Sequence, residues 1–395
     1  MGAPLRKSPG VPERRSRRGT APIAGDRIPF QRPELPPAAA IMAHFERLAG
    51  AHLPCVRELA MRIEERLDHR ALCVPVASAT AGLMAALRAL CGAPDARRRL
   101  VACPSYTFAA TAGAIVWAGF EPLFVDVEAH GFGLDPASLD AALQARPGRV
   151  AGILACAPFG SAPAAAVREG WREVAARHGT PLLIDSAPGF GAVDDDGLAL
   201  GAQGDTEVFS FHAESTFAVG EGGAVTTPDP ELAARIARTV NYGIEPSSHT
   251  VTVPGFNGKL SELHAATGLA VLDRFDGILA SRRRTAARIA HAADCAGLTY
   301  QRGSAGSPWQ VFQAYAPDPA ARERVLAAAA AGHVDARTLH DPPLHHHPAF
   351  ASAERAASLE ITEALAARSI SLPLANDLTD DEIDRIAAVA RAAAA

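Results

Sequence analysis

The sequence predicts an α/β protein: a mostly parallel sheet flanked by helices on both faces, followed by a smaller α+β C-terminal domain. Three observations carry this reading. Short apolar runs bounded by turn residues alternate with stretches of helical period from Leu72 to Val240, which is the rhythm of βαβ units. Polar or small residues follow several of these runs directly, where open α/β sheets gather their ligands. Beyond residue 261 the alternation gives way to a long helical stretch, a strand-like run and a closing amphipathic helix.

In chain order, an apolar-periodic stretch from Pro36 suggests helices through Leu67. Leu72–Val76 reads as a strand and Ala81–Leu90 as a helix; Arg99–Ala102 and Ala109–Ala118 repeat the pair. Pro122–Val127 is a strand, and Pro136–Gln144 a helix behind the turn signal G-F-G-L-D-P. Val150–Ala155, Ala164–His178 and Pro181–Ile184 continue as strand, helix and strand. Thr206–Phe211 and Gly223–Thr227 are shorter strands, with a helix over Pro230–Val240. A long helical stretch covers Ser261–Ala293; then come W-Q-V-F-Q-A-Y, a helix, a Pro/His loop and a helix over Asp380–Ala394. No internal repeat is visible.

Three segments follow: a basic arm over residues 1–27, a large α/β domain over 28–275 and a small α+β domain over 276–395. The arm sets Arg6, Lys7, Arg14, Arg15, Arg17 and Arg18 among Gly, Pro and Ser. Such a segment buries too little apolar surface to offset its ordering entropy, so disorder is expected.

The 395 residues are 48% hydrophobic and 21% charged, ordinary for a globular enzyme with a substantial core. A net charge of −5 gives no reason to expect nucleic acid or an anionic membrane as partner. The six cysteines form no C-x-x-C pair and no metal spacing, and most lie in apolar runs. A reducing cytoplasm is therefore expected, as there is neither an export-type leader nor a long uncharged apolar run. Arginine greatly outnumbers lysine, and Lys7 and Lys259 are the only lysines. A lysine missing from any one position is correspondingly weak evidence.

Several short stretches could carry chemistry. S-A-T-A-G-L, Ser78 to Leu83, stands where a strand hands over to a helix, and its small residues leave backbone N–H groups free for a phosphate. Capped helices that bind nothing begin the same way. Asp185, in I-D-S-A-P-G-F-G-A, follows an apolar strand and could hold a pyridinium N–H or simply start a turn. P-S-Y-T-F offers Phe108 as an aromatic face, although core packing also explains a lone Phe. G-E-G-G, Gly220 to Gly223, is a backbone-permissive turn. H-H-H, His345 to His347, invites a metal reading. Adjacent loop residues rarely aim at one ion, and no carboxylate or Cys is suitably spaced, so no metal site is expected.

Taken in order, these stretches resemble the DegT/DnrJ/StrS family of pyridoxal-phosphate sugar aminotransferases, of the fold-type-I, aspartate aminotransferase-like superfamily. The resemblance runs from about Ile28 to the C-terminus. R-P-E-L-P, S-A-T-A-G-L, P-S-Y-T-F-A-A-T and I-D-S-A-P-G-F-G-A match successive family landmarks. S-F-H-A-E-S…G-E-G-G-A-V-T-T, N-Y-G, G-F-N-G-K-L-S-E-L-H-A-A-T-G-L and P-L-H-H-H-P-A-F match later ones. The resemblance implies that the Ala79 and Thr80 backbone and the Ser210 hydroxyl grip the cofactor phosphate. It implies that Asp185 pairs with the pyridine nitrogen, and that Phe108 stacks on the ring. It further implies a homodimer in which Asn257 reaches the phosphate of the other subunit. The substrate would be a nucleotide-linked keto sugar or related intermediate, with an amino donor such as glutamate.

Two positions depart from the family pattern. Pro188 replaces a ring-holding Gln, and Ser215 stands where the family has its Schiff-base lysine. That lysine anchors the cofactor and moves the substrate proton; a serine hydroxyl does neither at neutral pH. Pyridoxal or pyridoxamine 5'-phosphate bound without a covalent anchor is one reading, with His212 and Glu214 as the nearest substitute bases. A catalytically inactive paralogue that binds a ligand or pairs with a partner subunit is a second. Recruitment of Lys259, or an introduced change at Ser215, are the others.

Overall fold

A computed structural model describes residues 27–50, 54–301 and 306–394. The arm expected over residues 1–27 lies outside these apart from Arg27.

Two helices, α1 (Ala38–Gly50) and α2 (Cys55–Arg66), precede the first strand. The βα alternation then runs β1 (Leu72–Val76), α3 (Ala79–Cys91), β2 (Leu100–Pro104), α4 (Ala109–Trp117), β3 (Glu121–Val125) and α5 (Pro136–Gln144). It continues with β4 (Val150–Cys156), α6 (Ala165–His178), β5 (Leu182–Asp185), β6 (Thr206–Ser210), β7 (Gly223–Thr227) and α7 (Pro230–Thr239). The local causes are ordinary ones. Asp135 caps α5 by accepting from Ser138 N–H, with Pro136 supplying the preset φ of a first helical residue. Gly179 ends α6 in the left-handed region (φ 57°).

The second half contains α8 (Glu262–Leu272), α9 (Phe275–Cys295), β8 (Thr299–Tyr300), β9 (Phe312–Tyr315) and α10 (Pro319–Ala331). It closes with β10 (Glu354–Arg355), α11 (Glu360–Ala366), β11 (Ser369–Leu372) and α12 (Asp380–Arg391). The helical stretch expected over Ser261–Ala293 is broken at Asp273 and Arg274. Here Arg274 leaves helical backbone (φ −121°, ψ 2°), and both side chains are drawn outward. Asp273 takes His44 and Arg62, and Arg274 pairs with Glu34. Tertiary ion pairs thus interrupt a pattern whose apolar period alone would have run on.

The large sheet is eight-stranded in the order β1-β7-β6-β5-β4-β2-β3-β10. Every pairing in it is parallel except the two made by β7. β2, β4, β5 and β7 are buried along their whole length, as expected of strands covered on both faces. One apolar cluster lies on each face: Leu59, Trp171, Phe209 and Phe275 on one, Leu83, Ile115, Phe124 and Ile236 on the other. A three-stranded antiparallel sheet, β11-β9-β8, packs with α9, α10 and α12 around a third cluster.

Contacts cross the division expected at residue 275. The start of α9 (Phe275, Ile278) belongs to the large core and its later turns (Ala286, Ile289) to the small one. Ile28 joins the small core, and β10 adds an edge strand to the large sheet. Among the described residues no helix is long and apolar enough to cross a membrane.

Candidate active site

Strand register lines up the motifs along the carboxyl edge of the large sheet. Val76, the last residue of β1, is opposite Gly223; Gly223 is opposite Ser210; and Asp185 pairs with Val208, two residues before Ser210. Ser210 N–H donates to the Ala187 carbonyl (3.0 Å), which holds the ends of β5 and β6 together. One short strip therefore contains the start of α3, the Ser210 hydroxyl and the Asp185 carboxylate.

At the α3 end, Ser78 caps the helix by accepting from Ala81 N–H (3.2 Å). The N–H groups of Ala79 and Thr80, the first two helical residues, have no carbonyl a turn earlier in the helix to satisfy them. With the helix dipole they form a site for an anion. Gly223 makes this geometry possible: a Cβ there would lie 2.6 Å from the Phe209 carbonyl oxygen and 2.9 Å from Ala79 N. No other residue lets β7 pass that close.

Asp185 is 7% exposed. Its Oδ2 accepts from Thr111 Oγ1 at 2.7 Å, and its Oδ1 from Ala187 N–H at 3.1 Å. Burial pushes its pKa up, against the lowering by these two donors. A buried carboxylate with so few donors calls for a cationic partner. Thr107, Thr111 and Cys156 continue the network beneath it. Phe108 opens α4 one turn before Thr111 and is 70% exposed.

The loop after β6 is folded tightly on itself. Ser210 Oγ accepts from His212 N–H (3.2 Å), and Ser215 N–H donates to the His212 carbonyl (2.9 Å). Thr216 and Glu214 tie the loop to the segment from Pro308 to Gln310. Ser215 is half-buried, and His212 is exposed, with Nε2 3.6 Å from Glu221. The Lys259 backbone bridges Val76 at this edge, while its Nζ donates to Asn257 Oδ1 (2.8 Å) and stands 4.5 Å from the Tyr242 ring centroid. Asn257 is exposed, and the Gly258 carbonyl beside it accepts from Ala77 N–H, next to the Ser78 turn.

Ala79, Thr80, Ser210 and Asp185 are thus brought to one edge, with Phe108 and the Ser215 loop opening onto it. The sequence reading missed Thr111; its position four residues after Thr107, in the first turn of a helix behind a strand, was the available signal. It also missed a carboxylate beside the histidine run. Glu363 Oε1 lies 2.7 Å from His345 Nε2 and 2.6 Å from His346 Nε2. A cleft of about 630 Å³ lies at the opposite edge of the strands, against Arg98, Arg172 and Pro181. It shares none of these groups, and the chemistry points to the carboxyl edge.

A doubly covered, mostly parallel sheet with an anion-binding helix start and a buried carboxylate at its carboxyl edge has the fold-type-I transferase architecture. The chain belongs to the DegT/DnrJ/EryC1/StrS aminotransferase family, which it matches over residues 51–391. Protein Rv3402c of Mycobacterium tuberculosis is 33% identical over 98% of this chain and 95% of its own length. A UDP-N-acetyl-3-dehydro-alpha-D-glucosamine 3-aminotransferase of Acidithiobacillus ferrooxidans is 31% identical over 80% of this chain and 83% of its own. Among solved structures, DesI in the presence of its TDP-sugar product superposes with a TM-score of 0.81 at 31% identity, covering 93% of each chain. A DegT DnrJ EryC1 StrS aminotransferase from Brucella abortus gives 0.80 at 26% identity, covering 89% of this chain and 95% of that one.

Proposed function

We propose that this protein binds pyridoxal or pyridoxamine 5'-phosphate noncovalently and acts on a nucleotide-linked keto sugar or a related biosynthetic intermediate. The observation that carries the reading is the Asp185 carboxylate, buried yet accepting from only Thr111 and Ala187, on the same edge as the unsatisfied start of α3. The residues fit a phosphate and a pyridinium; they do not fit a covalent anchor, because position 215 carries a hydroxyl.

In this reading the Ala79 and Thr80 N–H groups and the Ser210 hydroxyl hold the phosphate, Phe108 covers the ring, and Asp185 keeps the pyridine nitrogen protonated. The bound group would supply an electron sink for charge developing on the substrate carbon. His212 and Glu214 are the titratable side chains of the Ser215 loop and the candidates for moving a proton. The nucleotide-sugar class is supported by the TDP-sugar product of DesI and by the UDP-linked substrate named for the Acidithiobacillus relative. The large domain expected over 28–275 would supply the cofactor edge, and the small domain would comprise 276–395 apart from Ile278 in the large core and β10, which joins the large sheet.

A homodimer belongs to the same proposal. Phe108, Val116, Trp117, Tyr242, Val251 and Val253 are all exposed and are the candidates for such an interface. Asn257 then meets the neighbouring subunit's phosphate. Six free cysteines suit a reducing cytoplasm.

A second reading, a non-catalytic paralogue that binds a ligand or pairs with an active partner, is favoured by one observation. Lys259 is already engaged by Asn257 and Tyr242, so its amine is not free to stand in for a lysine at position 215. The two readings part on one experiment. The purified protein is mixed with pyridoxal phosphate and divided: one portion is treated with borohydride, dialysed and examined for a retained pyridoxyl group, and the untreated portion is assayed with glutamate and nucleotide keto sugars. Reversible binding with sugar turnover supports the first reading; binding without turnover, across donors and sugars, supports the second.

A further inference from the structure

The run His345-His346-His347 matches a family landmark, but its side chains bond to Ser105, Glu363 and the Pro342 carbonyl, not to Asp185 or Ser210. A short 3-10 turn over Leu344–His346 turns two of the three imidazoles the same way. The rings of His345 and His346 have centroids 4.1 Å apart, and both Nε2 atoms face one oxygen, Oε1 of Glu363. Glu363 comes from α11, whose start is fixed by Asp126 at the end of β3: its carboxylate accepts from the N–H groups of Ile361 and Thr362. The three ligand atoms lie within 4.8 Å of one another.

The inner histidine is fixed from behind. Ser105 Oγ accepts from His345 N–H at 3.0 Å and faces His345 Nδ1 at 2.7 Å, while Leu344 N–H donates to the Ser105 carbonyl at 3.1 Å. With Nδ1–H donating to Ser105, the Nε2 lone pair is free for a cation; in the other tautomer Ser105 donates to Nδ1 and Nε2–H donates to Glu363. A second-shell hydroxyl holding Nδ1 so that Nε2 faces outward is the usual support of a metal-binding imidazole. The His345 side chain is 2% exposed, while those of His346 and Glu363 are 47% exposed each. One ligand is thus rigid and two can adjust.

We propose that His345 Nε2, His346 Nε2 and Glu363 Oε1 bind one divalent transition-metal ion of zinc-like chemistry, with water in the remaining position. Two imidazoles and one carboxylate are a borderline-soft donor set suited to Zn²⁺ and Co²⁺ and poorly suited to Mg²⁺ or Ca²⁺. Tetrahedral ligands about 2.0–2.1 Å from zinc stand about 3.3 Å apart. The present 2.6–2.7 Å contacts therefore open by roughly 0.7 Å, within reach of the exposed His346 and Glu363 side chains. The Arg355 guanidinium donates to the His345 carbonyl (3.1 Å). Through Ser105, three residues before Phe108, the ion would clamp the P-S-Y-T-F loop to α11.

The test is equilibrium dialysis of the tag-free, cofactor-free protein against Zn²⁺, with Co²⁺ as an optical probe. One equivalent should bind, and the Co²⁺ form should show the intense visible bands of a four-coordinate site. Glu363→Gln, which keeps the shape, and His346→Ala, at an exposed position, should each weaken binding at least tenfold. Ser105→Ala should weaken it about tenfold. His347→Ala should change nothing, because its Nε2 faces the Pro342 carbonyl (3.0 Å). Circular dichroism confirms that the variants are folded. Zinc uptake that survives both ligand substitutions, or no stoichiometric uptake by the parent, overturns the proposal.

Discussion

Thr111 Oγ1 donates to Asp185 Oδ2 at 2.7 Å, joining the first turn of α4 to the end of β5. The bond aims a buried carboxylate at the carboxyl edge and leaves it short of donors. Asp185→Ala should therefore weaken pyridoxal phosphate binding by about 2–3 kcal/mol, the scale of a charge-assisted hydrogen bond in a sheltered site. That is roughly 30- to 150-fold in Kd by titration calorimetry. Affinity equal to the parent would mean that the pocket is inherited scaffold.

The same carboxylate sets a pH dependence in the cofactor-free protein. Burial raises the Asp185 pKa. The folded chain then holds this proton more tightly than the unfolded chain, so its stability is complete below the unfolded carboxylate value, about 4. It falls as pH rises through the window between that value and the raised one. Asp185→Asn removes the titration. Thermal unfolding of the apo-protein should show the variant more stable than the parent at neutral pH, with the advantage gone at acidic pH. An advantage independent of pH would exclude ionisation as its cause.

Ser215→Lys introduces an amine where the loop is pinned by Ser215 N–H to His212 and by Thr216 to Pro308. The site is half-buried, which lowers a lysine pKa and favours its reaction. The variant should acquire visible absorbance with pyridoxal phosphate and retain a pyridoxyl group on residue 215 after borohydride, read by mass spectrometry. The parent should retain none, and an adduct found on Lys259 instead would defeat the noncovalent reading.

Asn257 is exposed, and only the Lys259 ammonium donates to its amide oxygen. If a twofold dimer brings it to the neighbouring phosphate, Asn257→Ala should weaken cofactor binding about tenfold without lowering the unfolding temperature. Light scattering in parallel should give twice the chain mass. A monomer that binds the cofactor normally would remove Asn257 from the site.

The layout of βα units could be read from local pattern because strand and helix periods are local properties. α5 and β7 begin and end where their turn residues and apolar runs say they should. The motifs at Ser78, Asp185 and Ser210 were legible for the same reason: each is a few residues at a strand end. The expectation that Ser215 occupies a lysine position rests only on the family pattern, because nothing in its neighbours' chemistry demands a lysine.

Other features depend on pairs distant in sequence. The break between α8 and α9 follows from Asp273 meeting His44 and Arg62, partners more than 200 residues away. Gly223 matters because β7 lies against the start of α3, and Glu363 joins the histidines because Asp126 anchors α11 beside them. By itself the sequence determined the order and type of the elements from β1 to α7, since these rest on hydrophobic period and turn chemistry. Tertiary structure alone decided which polar groups share a site, since hydrogen bonding and ion pairing depend on distances that chain spacing does not specify.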